Sequence, residues 1–180
     1  MGKLELPNRI VMAPLTRMRA ANPGHVPTEL HVEYYAQRAS AGLIVGETEI
    51  SPDAYGWADT PDLWSAEQVR GWRNVTDAIH KKGGLMYAQL WHTGAMSHPD
   101  FFDGALPMSA SNVNPEQESV TPSGRKPPVA PRPMSKKEIR QTVADFGTAA
   151  KNAMKAGFDA DPSQLPLSHR SIPEQRNESS

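Results

Sequence analysis

The chain has 180 residues, 19 Lys and Arg against 20 Asp and Glu, and no cysteine. That length supports one domain with a real core, and the near-even charge lacks the basic surplus by which nucleic-acid partners are usually held. Disulfides, thiolate metal sites, iron–sulfur clusters and thiol nucleophiles are excluded together. No apolar run approaches the ~20 residues of a membrane helix, and the start Met1–Pro7 has no secretory h-region, so the expectation is a cytoplasmic protein with no nucleic-acid or membrane partner.

In chain order, Arg9-Ile10-Val11-Met12-Ala13 reads as a first strand, apolar at consecutive positions as a strand buried on both faces should be. A turn at Asn22-Pro23-Gly24 leads to a helix from Thr28 to about Ser40, with Leu30, Tyr34, Tyr35 and Ala39 as its inward residues. Gly42 ends that helix and Leu43-Ile44-Val45 opens a second buried strand. After a polar loop with Pro52, Gly56 and Pro61, Ser65 and Gln68 form a capping box. The helix they open carries a stripe of Val69, Trp72, Val75 and Ile79 and stops at Gly83-Gly84.

Leu85–Trp91 is the third strand. Eight of the 17 prolines lie between Pro99 and Pro133, so His92–Met134 reads as one long loop. A second capping box, Ser135 with Glu138, begins a long helix whose inward face is expected at Ile139, Val143, Phe146, Ala150 and Met154. Gly157 suits its C-terminal cap, and Phe158-Asp159-Ala160 looks like the start of a fourth strand. Buried strands alternating with amphipathic helices imply a parallel sheet, open or closed into a barrel. No Gly-x-Gly-x-x-Gly turn follows any strand, which weighs against a dinucleotide-binding open sheet. From Asp161 to Ser180 the periodicity is lost, the composition of a disordered or aberrant tail.

Three segments carry a family resemblance. They are Leu6-Pro7-Asn8-Arg9-Ile10-Val11-Met12-Ala13-Pro14-Leu15-Thr16-Arg17, then Tyr34-Tyr35-Ala36-Gln37-Arg38-Ala39 with Gly42-Leu43-Ile44-Val45, then Gln89-Leu90-Trp91-His92-Thr93-Gly94 with Ser97-His98-Pro99. In order and spacing the chain resembles the Old Yellow Enzyme family from about Lys3 to Asp159. The resemblance implies an α/β fold, an incomplete (β/α)8 TIM barrel of about three and a half βα units with a long loop after the third strand. It places the barrel part at 1–160 and the tail at 161–180. It also implies FMN as cofactor, NAD(P)H as hydride donor and an activated alkene, an α,β-unsaturated carbonyl compound, as substrate.

By the same resemblance, the backbone at Pro14 and Leu15 packs on the flavin, the Thr16 hydroxyl bonds its ring, and the Gln89 amide meets its pyrimidine edge. Trp57 and Trp91 line the substrate pocket. Relatives usually have one more residue between the positions of Glu47 and Thr48, so Glu47 or Thr48 is expected against the cofactor, with every later side chain flipped. Taken singly, Thr16 reads as an ordinary strand-end hydroxyl, Gln89 as unremarkable and Trp91 as core; the joint match carries the assignment. His25, His31, His92 and His98 read as structural or solvent-facing, and no metal site is expected.

Further departures bear on activity. Ala95-Met96 stands where relatives often have Arg, and the hairpin that usually precedes the first strand is not evident. In the family a His-x-x-His or His-x-x-Asn pair and a proton-donating tyrosine follow the fourth strand. Here the stretch reads Ala160-Asp161-Pro162-Ser163-Gln164-Leu165, so no catalytic residue is assigned. A full barrel takes about 250 residues, with its phosphate site after the seventh and eighth strands. Two expectations therefore stand side by side: an FMN-dependent NAD(P)H oxidoreductase, or a truncated, non-catalytic barrel fragment without proton donor or phosphate site. The open sheet edges of either offer a route to self-association.

Overall fold

The structure, a computed structural model, describes residues 4–159. The expected tail at 161–180 and any fourth strand beyond Asp159 lie outside the described residues. Three parallel strands, β1 (Val11–Met12), β2 (Leu43–Glu49) and β3 (Met86–Trp91), form a sheet in the order β1-β2-β3. Parallel neighbours need crossovers, and these are α1 (Glu29–Ala36) and α2 (Ala66–His80). A third helix, α3 (Lys136–Lys155), follows β3 after a long excursion.

Side chains on a strand alternate between faces, and the two clusters separate accordingly. Ile44, Ile50, Met86, Ala88 and Leu90 meet Tyr35, Trp72, Val75, Ile79 and Phe158 on the helix side. Leu43 and Tyr87, with Leu4, Leu6, Val45 and Leu85 around them, pack on the other. Trp72 is fully buried, and its indole N–H donates to the Asp62 carbonyl at 2.9 Å. This leaves no polar atom of the largest core residue without a partner.

Both capping boxes form. Ser65 Oγ accepts the Gln68 N–H at 3.2 Å while Gln68 Oε1 accepts the Ser65 N–H at 2.8 Å. Ser135 and Glu138 make the same exchange at 3.3 and 2.7 Å.

Four expectations are corrected. The first strand is two residues long, and Ile10 and Val11 are 68% and 49% exposed, because β1 is the sheet edge with one ladder neighbour. Helix α1 stops at Ala36, and its buried residues are His31 and Tyr35, with Ala39 in the following turn; Leu30 points outward. On α3 the expected stripe is buried only in part: Phe146 and Ala150 pack against the core, but Val143 is 63% exposed and Ile139 and Met154 are exposed too. Ala149, Asn152, Ala153 and Ala156 are buried instead, since small side chains let the last turns close on α2. There Thr76 Oγ1 donates to the Ala156 carbonyl at 2.6 Å, and Asn152 Nδ2 donates to the Leu63 carbonyl at 3.1 Å.

The long loop, finally, carries two small ladders. One joins β4 (Met108–Ser109) to β7 (Arg132–Pro133), and the other is a hairpin of β5 (Ser119–Thr121) with β6 (Gly124–Lys126). Asp100 anchors the hairpin, accepting from Thr121 Oγ1 at 2.9 Å and pairing with Lys126 at 2.7 Å.

Gly157 caps α3 at φ +83, in the left-handed region that favours glycine. Beyond it Asp159 grips β3 from both sides: its N–H donates to the Met86 carbonyl at 2.9 Å and its carboxylate accepts the Met86 N–H at 2.7 Å. Among the described residues, no helix is long and apolar enough to cross a membrane.

Two glycine substitutions rank the constraints. A Cβ at Gly42 would lie 2.1 Å from the Asn8 carbonyl oxygen, a backbone atom that moves only with the whole N-terminal segment. Gly42→Ala is expected to cost about 3 kcal/mol, the upper end of overpacking. Gly157→Ala is expected to cost about 1–2 kcal/mol, from left-handed strain. Urea denaturation of both variants checks the order.

Candidate functional site

Parallel strands flanked by crossover helices gather their C-terminal ends on one side, where loops build sites. Here Glu47 is the ladder partner of Gln89, and Glu49 of Trp91. Ladder partners share a face, so these four residues lie on the face away from the main helix-side core. The ladder runs unbroken from Ile44 with Met86 to Glu49 with Trp91. Gln89 and Trp91 are half-buried. Among the described residues the Gln89 carboxamide makes no hydrogen bond, while its backbone carbonyl accepts from Thr48 Oγ1 at 2.8 Å. The Trp91 indole N–H is buried without a partner. A carboxamide offers both donors and an acceptor, so this face can hold a flat polar heterocycle.

Thr16 arrives from the segment after β1. Arg17, its neighbour, donates its backbone N–H to Glu47 Oε1 at 3.1 Å. The other Glu47 oxygen accepts the Tyr35 hydroxyl from α1. Glu47 is fully buried, and burial pushes its pKa up while the Tyr35 hydroxyl and the Arg17 amide pull it back. Burial, and then the charge of Glu47, raises the Tyr35 phenol well above its usual range, so it remains a donor.

Both Glu47 oxygens are thus held by protein donors. The structure places this residue as a strut between the Thr16 segment and the Gln89 strand. Thr48 points to the opposite face. Pro14 and Thr16 are half-buried and Leu15 is exposed.

The loop after β2 folds across the strand ends. Thr93 donates its N–H to the Ala54 carbonyl at 3.0 Å, and Ser97 Oγ donates to the Tyr55 carbonyl. Trp57 lies in this loop, half-buried. Beneath it sits a residue the sequence reading passed over. Glu49 is wholly buried, and its Cα partners are Trp91 on one side and Asp62 on the other. Burial and then the Asp62 charge push Glu49 up to about 9, and burial pushes Asp62 up to about 8. The sequence signal was weak: Glu47 and Glu49, two apart, share one face of the strand, and only the elements that cover that face bury both.

Three histidines among the described residues accept backbone amides. His31 Nδ1 accepts the Thr28 N–H at 3.0 Å, and burial with nearby Arg19 and Arg17 lowers its pKa to about 4. His92 and His98 accept the N–H groups of Gly94 and Asp100 at 3.0 and 3.1 Å. Among the described residues no three His, Cys, Asp or Glu side chains converge as metal ligands. Two clefts, of about 390 and 650 Å³, open beside β1 and among the loops around Tyr55; neither is lined by Thr16, Gln89 or Trp91.

Comparison with known proteins identifies relatives of this chain. The pattern of the NADH:flavin oxidoreductase / NADH oxidase family matches residues 1–160. A flavin oxidoreductase of Emericella nidulans is 42% identical over 163 residues, covering 88% of this chain and 42% of its own. A 12-oxophytodienoate reductase of Oryza sativa subsp. japonica is 41% identical, covering 88% and 41%. Among solved structures, the old yellow enzyme homologue from Zymomonas mobilis superposes with a TM-score of 0.82 at 45% identity, covering 88% of this chain and 44% of that one. Morphinone reductase in complex with tetrahydroNAD superposes at 0.80 and 43% identity, covering 88% and 45%. The chain therefore spans less than half the length of the relatives it matches.

The Glu47 strut is tested by Tyr35→Phe, which leaves one buried carboxylate oxygen without its donor. A loss of about 1–3 kcal/mol is expected in urea denaturation, with the far-ultraviolet circular dichroism of the native state unchanged.

Proposed function

The chain belongs to the NADH:flavin oxidoreductase / NADH oxidase family, whose members use FMN, and from that premise we propose that its described residues form the ring-binding part of an FMN site in an NAD(P)H-dependent oxidoreductase acting on activated alkenes. The observation that carries this reading is the uncommitted Gln89 carboxamide on the same strand-end face as Trp91, tied through Glu47 to the Thr16 segment. When bound, FMN supplies the hydride relay between NAD(P)H and the alkene.

The residues present fit its ring. The Gln89 amide complements the alternating donors and acceptors of the pyrimidine edge, and the Thr16 hydroxyl is free to donate. The backbone at Pro14 and Leu15, with apolar side chains on both residues, offers a packing surface to the ring. Trp91 and Trp57, at the end of β3 and in the loop after β2, wall the space where an α,β-unsaturated carbonyl compound would lie. Glu47 acts at one remove, holding the Thr16 segment against β2.

The same premise extends to architecture. The three parallel strands and their helices correspond to the first units of a (β/α)8 barrel, as the superposition on the Zymomonas mobilis structure supports. The uncovered outer side of β1, with Ile10 and Val11 exposed, suits a further barrel strand or a second copy of this chain.

The reading is tested by titrating FMN and riboflavin into the purified chain and following flavin fluorescence. Both are expected to bind with similar affinity, since the proposed contacts are to the ring. Gln89→Ala should weaken both about tenfold, the worth of one to two net hydrogen bonds, and Thr16→Ala severalfold. Unchanged affinity in Gln89→Ala would overturn the assignment, and binding without alkene turnover would favour a non-catalytic fragment.

A further inference from the structure

Glu49 and Asp62 are Cα partners whose side chains are 0% and 1% exposed. Neither carboxyl has a cation: no ion pair among the described residues includes either one. Asp62 Oδ2 accepts three hydrogen bonds, from the Tyr55 hydroxyl at 3.2 Å, Trp64 Nε1 at 3.1 Å and Gln68 Nε2 at 3.2 Å. Its Oδ1 and both oxygens of Glu49 have none. The backbone amides of Gly56 and Trp57 lie close enough to favour the Glu49 charge, yet neither makes a well-aligned hydrogen bond. The remaining titratable neighbours face Tyr55: Asp59 adds negative charge there, and the His25 ring packs edge-on at 4.8 Å.

Two adjacent carboxyls removed from water cannot both ionise without a large penalty. Among the described residues no third metal-ligating side chain joins these two carboxyls. One proton on Glu49, donated to Asp62 Oδ1, satisfies two of those orphans at once. The three donors on Asp62 Oδ2 mark that residue as the first of the two to ionise as pH rises.

We propose that Glu49 and Asp62 hold a proton between them at neutral pH, and that this protonated pair latches the Tyr55–Trp57 segment over the end of β2. Asp62 binds the segment through the Tyr55 hydroxyl, and neutral Glu49 lies under the Gly56 and Trp57 amides. Loss of the last proton sets two buried charges against each other and releases the segment that carries Trp57. The latch does not depend on flavin binding and stands or falls separately from the reading above.

Acids whose pKa is raised on folding bind more protons in the folded state. Stability from the pair is therefore full below the ordinary carboxylate range near pH 4 and declines as pH climbs through 8 and 9. Melting of the full 180-residue chain from pH 5 to about 10, beside Glu49→Gln, reads this directly. Gln keeps the shape and removes the titration, so the variant should melt roughly 3–6 °C above the parent at pH 8, with the gap closing toward pH 5. Tryptophan emission of the parent should shift as pH passes 8 to 9, and Trp57→Phe should reduce the shift without abolishing it, since Trp64 on Asp62 reports the same titration. A variant that melts below the parent at pH 8, or a gap independent of pH, overturns the proposal.

Should Glu49→Gln fail to fold, the infrared carbonyl band of a protonated carboxyl decides on the unaltered chain. Its presence at pH 7 and loss by about pH 10 sustains the latch, and its absence at pH 7 overturns it.

Discussion

The ladder between β2 and β3 sets the position of nearly everything else in the chain. From Ile44 with Met86 to Glu49 with Trp91 the partners run without a bulge, so each residue's face is decided by whether its number is odd or even. Even positions meet Trp72 and the helices; odd positions carry Gln89 and Trp91 to the far face. The loops that cross the strand ends do so above this ladder, held by Thr93 on Ala54 and Ser97 on Tyr55.

Three buried carboxyls crowd that end of the sheet, and the protein treats each differently. Glu47 is bonded at both oxygens and joins two chain segments. Asp62 gathers three donors on one oxygen and leaves the other bare. Glu49 lacks any aligned donor and is neutral by necessity. Taking a carboxyl out of water is costly even where donors meet it, so three such groups together mark a region organised for more than packing. Glu47 supports the face where a flavin ring would rest; Glu49 and Asp62 support the loop beside it.

Elsewhere the surface is less settled. Ile10 and Val11 on the β1 edge and Val143 on α3 are apolar and exposed, while the core between α2, β2 and β3 is dense. The relatives matched are more than twice as long as the matched region, and in a closed barrel an edge strand gains a second neighbour.

Composition, periodicity and capping signals determined a good deal unaided. The alternation of strands and helices, both capping boxes, the Trp72 stripe and the Gly157 cap follow from local chemistry that acts within a few residues, and the motifs around Thr16 and Gln89 carried the family. What the sequence could not determine was anything set by distant neighbours. The exposure of β1 depends on which strand lies beside it, and the buried face of α3 depends on small residues closing against α2. The role of Glu47 depends on a hydroxyl 12 residues away and an amide 30 residues away. Glu49 and Asp62 are 13 apart in sequence and meet only because the loop after β2 returns to pair with that strand. Local propensity names elements and caps, but burial, hydrogen-bond partners and protonation are properties of the packed whole, so only the tertiary structure decided them.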